Sequence, residues 1–73
     1  MRVLFLNNDG GGFAQHMEVA EGTVLLDFFQ KQFPNREPGD YLIRVNRQPA
    51  SSDQVLQDND RITVTPTRIE GAA

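Results

Sequence analysis

One stretch of this chain, Val24 to Phe33, carries helical periodicity, and it lies between segments whose apolar residues alternate. In 73 residues that combination leaves few architectures, because one sheet must cover the apolar stripe of one helix. At about 100° per residue, Val24, Leu25, Leu26, Phe28, Phe29 and Phe33 span an arc of roughly 200°. Asp27, Gln30 and Lys31 fall opposite, and Gln32 interrupts the arc. Thr23 is predicted to cap the first turn through its hydroxyl, and Pro34 to forbid continuation.

The alternating segments read as strands. Arg2 to Leu6 is followed by Asn7-Asn8-Asp9-Gly10-Gly11-Gly12, residues that tolerate positive φ, which predicts a hairpin. Phe13, Met17 and Val19 then share an inner face, with Gln15 its imperfect member, and Ala14, His16 and Glu18 an outer one. Residues 34–40 read as a loop. Tyr41 to Arg47 alternates, with Tyr41, Ile43 and Val45 inward and Leu42, Arg44 and Asn46 outward. Gln48 to Asp60 is turn chemistry in which Val55 and Leu56 are apolar anchors. Arg61 to Thr65 places Ile62 and Val64 inward, and Pro66 ends it. The expected fold is α+β, a mixed sheet of four to five strands packed on one helix, with residues 1–66 as the body and 67–73 as a loose tail.

A domain this small buries only about 60% of its unfolded surface, so its core must be efficient. With 38% hydrophobic residues, five Phe and no Cys, it relies on aliphatic and aromatic packing without disulfides. Absent cysteines fit a reducing cytoplasm. The apolar run after Met1 stops at Asn7, shorter than a signal-peptide core or a membrane span, so a soluble cytoplasmic protein with no membrane contact is expected. A net charge of −3 argues against gripping nucleic acid through its phosphates. Lys31 is the single lysine, hence the one side-chain amine for isopeptide chemistry.

Candidate chemical constellations are thin. Asp9-Gly10-Gly11-Gly12 is a potential anion cradle, but no Lys-Ser/Thr pair follows, and a hairpin explains the glycines. His16 stands without a second His or any Cys, so it reads as solvated or partner-contacting rather than as a metal ligand. Asp58 and Asp60 flank Asn59 without the later ligands of a calcium loop, so a turn bonding local amides is expected. Ser51 and Ser52 lack a His partner in their sequence context, and no enzyme activity or bound cofactor is expected.

The most specific pattern is Tyr41 to Ala50, Tyr-Leu-Ile-Arg-Val-Asn-Arg-Gln-Pro-Ala, followed by Val55 to Pro66, Val-Leu-Gln-Asp-Asn-Asp-Arg-Ile-Thr-Val-Thr-Pro. It resembles the second half of the ubiquitin-like β-grasp sulfur carriers, the thiamine-pathway carrier and the small subunit of molybdopterin synthase. Asn59 stands where those relatives carry Gly, a tolerable change because Asn accepts left-handed backbone geometry. Glu21-Gly22-Thr23-Val24-Leu25-Leu26 at the helix start extends the similarity over nearly the whole chain. The resemblance implies a prokaryotic, ubiquitin-like protein serving as a cosubstrate.

In such relatives a terminal Gly-Gly carboxylate is adenylated by a partner enzyme that consumes ATP, and sulfide or a thiolate then displaces AMP. Alignment on Pro66 and Ile69 puts Gly71 on the penultimate Gly and Ala72 on the terminal one, with Ala73 beyond. Three readings of Gly71, Ala72 and Ala73 stay open. A processing peptidase exposes Gly71, a dedicated adenylating enzyme accepts the alanine end, or the tail is chemically idle. The partners implied are the adenylating enzyme, the peptidase where the tail is trimmed, and an acceptor protein or sulfur-accepting enzyme; tail insertion into an enzyme, as in molybdopterin synthase, is a further form. The alternative is a noncovalent protein-interaction module. Its surface would be the sheet's outer face, with Leu4, His16, Leu42 and Thr63 presented to a partner and Arg44 and Arg61 at the polar rim.

Overall fold

The computed structural model describes residues 1–8 and 12–67. Strand β1 (Arg2–Asn7) pairs antiparallel with β2 (Phe13–Glu18), Asn7 opposite Phe13 and Arg2 opposite Glu18. Helix α1 (Leu25–Gln32) follows, then a 3-10 turn (Pro38–Asp40), β3 (Tyr41–Val45), the two-residue β4 (Gln48–Pro49) and β5 (Arg61–Pro66). The sheet order is β2-β1-β5-β3-β4, with β5 running parallel to β1 and antiparallel to β3. This is a mixed sheet over one helix, at the upper end of the expected strand number.

The core joins alternate residues of the sheet to one face of α1. Val3 and Phe5 from β1, Tyr41 and Val45 from β3, and Ile62 and Val64 from β5 meet Leu25, Phe28 and Phe29. The aromatic rings fit edge to face or stacked. Phe5 meets Phe28 at 5.3 Å between ring centroids, Phe29 stacks on Phe33 at 5.0 Å, and Tyr41 lies 5.3 Å from Phe33. Such ring pairs add about 0.5–1.5 kcal/mol each beyond simple burial.

Several local expectations are corrected. Thr23 does not cap α1: the cap residue is Val24, in extended conformation, while the Thr23 hydroxyl donates to the Ala20 carbonyl at 2.6 Å. The unpaired amides of the first turn go instead to the long connection. Leu25 N–H donates to the Gln54 carbonyl and Leu26 N–H to that of Ser52, both at 2.8 Å. Val24 is bridged to Val55, so it belongs to this contact rather than to the helix. Leu56 is the buried anchor of the connection, whereas Val55 is 44% exposed and contributes its backbone. Phe13, expected inside, is 51% exposed although its ring edge meets Phe5 at 5.8 Å. It sits at the end of the outermost strand, next to the hairpin, with one side open. Part of the 34–40 loop is the 3-10 turn, started by Pro38.

Strand β3 ends at Val45, short of the expected Arg47. Asn46 (φ 54°) and Arg47 (φ 72°) both take positive φ and form the tight turn into β4. Asn59 has φ 70°, the left-handed geometry anticipated for it. The hairpin residues Asp9, Gly10 and Gly11 and the tail residues 68–73 lie outside the described residues.

Candidate functional site

Two features inherit the functional expectations: the open face of the sheet, and the point at which the chain leaves β5. The register builds the open face row by row. His16 of β2 lies opposite Leu4 of β1, which lies opposite Arg61 of β5. In the next row Ala14 faces Leu6, Leu6 faces Thr63, and Thr63 faces Arg44 on β3. Leu42 occupies the following row, opposite Thr65. Among the expected residues, His16 and Leu4 are therefore neighbours, as are Thr63 and Arg44.

Leu4 and Leu42 are not adjacent. They are two strands and four residues apart, a separation of about 16 Å from standard strand spacing and rise. Leu6, absent from the expected set, fills the gap. It shares the parity of Leu4 on β1, so the alternation that places Val3 and Phe5 inside also marks it as outward. Leu4, Leu6, Thr63 and Thr65 are half-buried, while His16, Leu42 and Arg44 are exposed. The patch is thus a pair of leucines on β1 continued across two threonines to Leu42, with Arg44 and Arg61 along it.

At the other feature, β5 ends at Pro66, opposite Tyr41. Thr67 donates both its N–H and its hydroxyl to the Asp40 carbonyl, each at 3.0 Å. The chain is held to this point by backbone and side chain together. Gly71, Ala72 and Ala73 lie outside the described residues.

The acidic turn is structural. The Asp60 side chain, in a residue only 6% exposed, accepts from Asn46 Nδ2 at 2.9 Å and from Gln57 N–H at 2.7 Å. Asn46 Oδ1 in turn accepts from Arg61 N–H at 3.0 Å, and Asp58 Oδ1 from Arg2 N–H at 2.9 Å. These bonds tie the turn before β5 to the β3–β4 turn and to the start of β1. Among the described residues no group of three or more His, Cys, Asp or Glu side chains is arranged to hold a metal. Ser51 donates to Asp53 at 2.8 Å, a local turn contact. Among the described residues no helix is long and apolar enough to cross a membrane.

No known family model matches this chain, and no curated protein matches it. Among solved structures it is similar to a ubiquitin-like protein from the hyperthermophilic archaeon Caldiarchaeum subterraneum. The TM-score is 0.67 at 16% identity, over 94% of this chain and 99% of that one. The fold is the ubiquitin-like β-grasp. At that identity the likeness establishes architecture alone.

Proposed function

We propose that this ubiquitin-like domain is a protein cosubstrate of the sulfur-carrier or modifier type, whose C-terminal segment is adenylated by a partner enzyme that consumes ATP. The observation that supports the reading is the anchoring of Thr67. Adenylation needs the terminal carboxylate delivered in line to a phosphate, and a segment that starts from a fixed point on a rigid sheet has less orientational freedom to lose. Gly71 is the residue to be exposed or recognised, because glycine has no Cβ to collide in a narrow channel. The open face, centred on Leu4 and Leu6, is the surface on which the adenylating enzyme docks.

The test is a binding and turnover assay with the adenylating enzyme of the native host. Full-length protein should support ATP–pyrophosphate exchange after any trimming to Gly71, and protein truncated at Thr67 should not. Equal exchange with both would remove the tail from the mechanism.

A second reading, a noncovalent interaction module, is favoured by the half-buried leucine pair on the open face. Deletion of Gly71 to Ala73 leaves its function intact, and substitution of Leu6 by Asp removes it.

A further inference from the structure

The two edges of the sheet are treated differently. At one, β4 is two residues long and contains Pro49, which has no N–H to offer. At the other, β2 is six residues long, keeps an unbroken register with β1, and carries neither proline nor lysine. Among the described residues no strand pairs with its outer side.

Which groups face outward follows from the ladder. Met1 and Val19 exchange both backbone bonds, each at 2.8 Å, so the alternation makes Val3–Met17, Phe5–Gln15 and Asn7–Phe13 the hydrogen-bonded pairs. The N–H and C=O groups of Ala14, His16 and Glu18 therefore point away from β1. This outward set is symmetric about His16.

We propose that the β2 edge binds a second copy of this chain, antiparallel, with the two-fold axis at His16, to form one continuous ten-stranded sheet. Three observations select a second copy as the occupant. Centring on His16 pairs His16 with itself and Ala14 with Glu18 of the second copy, so each outward-facing group is used, in about six backbone bonds. The same register sets Phe13, 51% exposed at the edge, against Val19 of the second copy, and Gln15 against its Met17. It also opposes no two carboxylates, since Glu18 meets Ala14.

Size fixes the strength. At one hydrogen bond per 100–200 Å², six bonds correspond to an interface of about 600–1,200 Å², the range of weak, concentration-dependent association. The inference does not depend on the tail, and the symmetric sheet leaves both copies of β5 away from the interface.

The experiment is sedimentation velocity on the full chain from about 1 µM to 1 mM, the span in which such an interface populates. Expected is a shift from monomer to dimer mass. His16→Pro removes an outward N–H without touching the β1 ladder, and His16→Lys sets like charges across the axis; each should abolish the shift, with folding checked by circular dichroism. Register is read independently by His16→Cys in this cysteine-free chain, using oxidised glutathione as oxidant. Paired Cα atoms of a hydrogen-bonded rung lie about 5.5 Å apart, within disulfide range, so a covalent dimer should form readily. Leu42→Cys, on β3, should not match it. A monomer throughout the range, or equal cross-linking from both positions, overturns the proposal.

Discussion

Replacing Asp60 by Asn tests the reading of the acidic turn, because the two side chains are nearly the same shape and differ in what they donate. In the parent, both carboxylate oxygens face donors, Asn46 Nδ2 at 2.9 Å and Gln57 N–H at 2.7 Å. An amide at position 60 satisfies one and turns its NH2 toward the other. Flipping Asn46 moves the conflict without removing it, since Asn46 Oδ1 is already required by Arg61 N–H. The loss is one hydrogen bond to a charged group plus a donor facing a donor, about 2–3 kcal/mol. A chain of this length has about 4–11 kcal/mol of total stability, and at about 4–8 °C per kcal/mol the midpoint of thermal unfolding should fall by roughly 8–24 °C.

Asn46→Asp alone should cost a similar amount by setting two carboxylates at hydrogen-bond distance. The double variant exchanges the donor and acceptor roles and should return to within about 1 kcal/mol of the parent, a coupling of at least about 3 kcal/mol. Urea unfolding followed by far-ultraviolet circular dichroism measures each corner of the cycle. An Asp60→Asn protein within about 0.5 kcal/mol of the parent, or a double variant as unstable as the sum of the singles, would refute the reasoning.

Phe28→Ala empties the position where α1 meets Phe5 and should destabilise by about 3–5 kcal/mol, read from the same urea curves. Arg47→Gly relieves a positive φ of 72° at an exposed turn residue and should stabilise by about 0.5–1 kcal/mol, seen as a higher melting temperature. Leu6→Asp on the open face should keep the circular dichroism spectrum yet weaken binding to the adenylating enzyme roughly 10- to 100-fold by calorimetry, the value of one buried leucine.

The fold was legible because alternation and helical periodicity each persist long enough to be counted. Val3, Phe5, Val45, Ile62 and Val64 all lie inside, as their parity requires, and Leu25, Phe28 and Phe29 form the buried stripe of α1. The misreadings concern ends and edges. Thr23 has the right chemistry for a cap, but the carbonyls of Ser52 and Gln54 reach the helix start first, a contact between residues far apart in sequence. Phe13 has the right parity, but the pattern of a strand does not reveal that the strand lies at the edge of the sheet. Parity placed Leu4, His16, Leu42 and Thr63 on the outer face and would equally have marked Leu6, which the reading omitted, whereas the separation of Leu4 from Leu42 required the strand order, which local patterning does not encode. Asn46 and Asp60 could each be assigned to turns, yet their partnership depends on β3 and β5 being neighbours.

The claim that the C-terminal segment is worked on by an adenylating enzyme is tested most directly by intact-mass spectrometry of the protein purified from its native host under active sulfur transfer. The expected result is a population lighter by the two terminal alanines, or one heavier by the difference between a sulfur and an oxygen atom. Recovery of the unmodified full-length carboxylate as the sole species would contradict it.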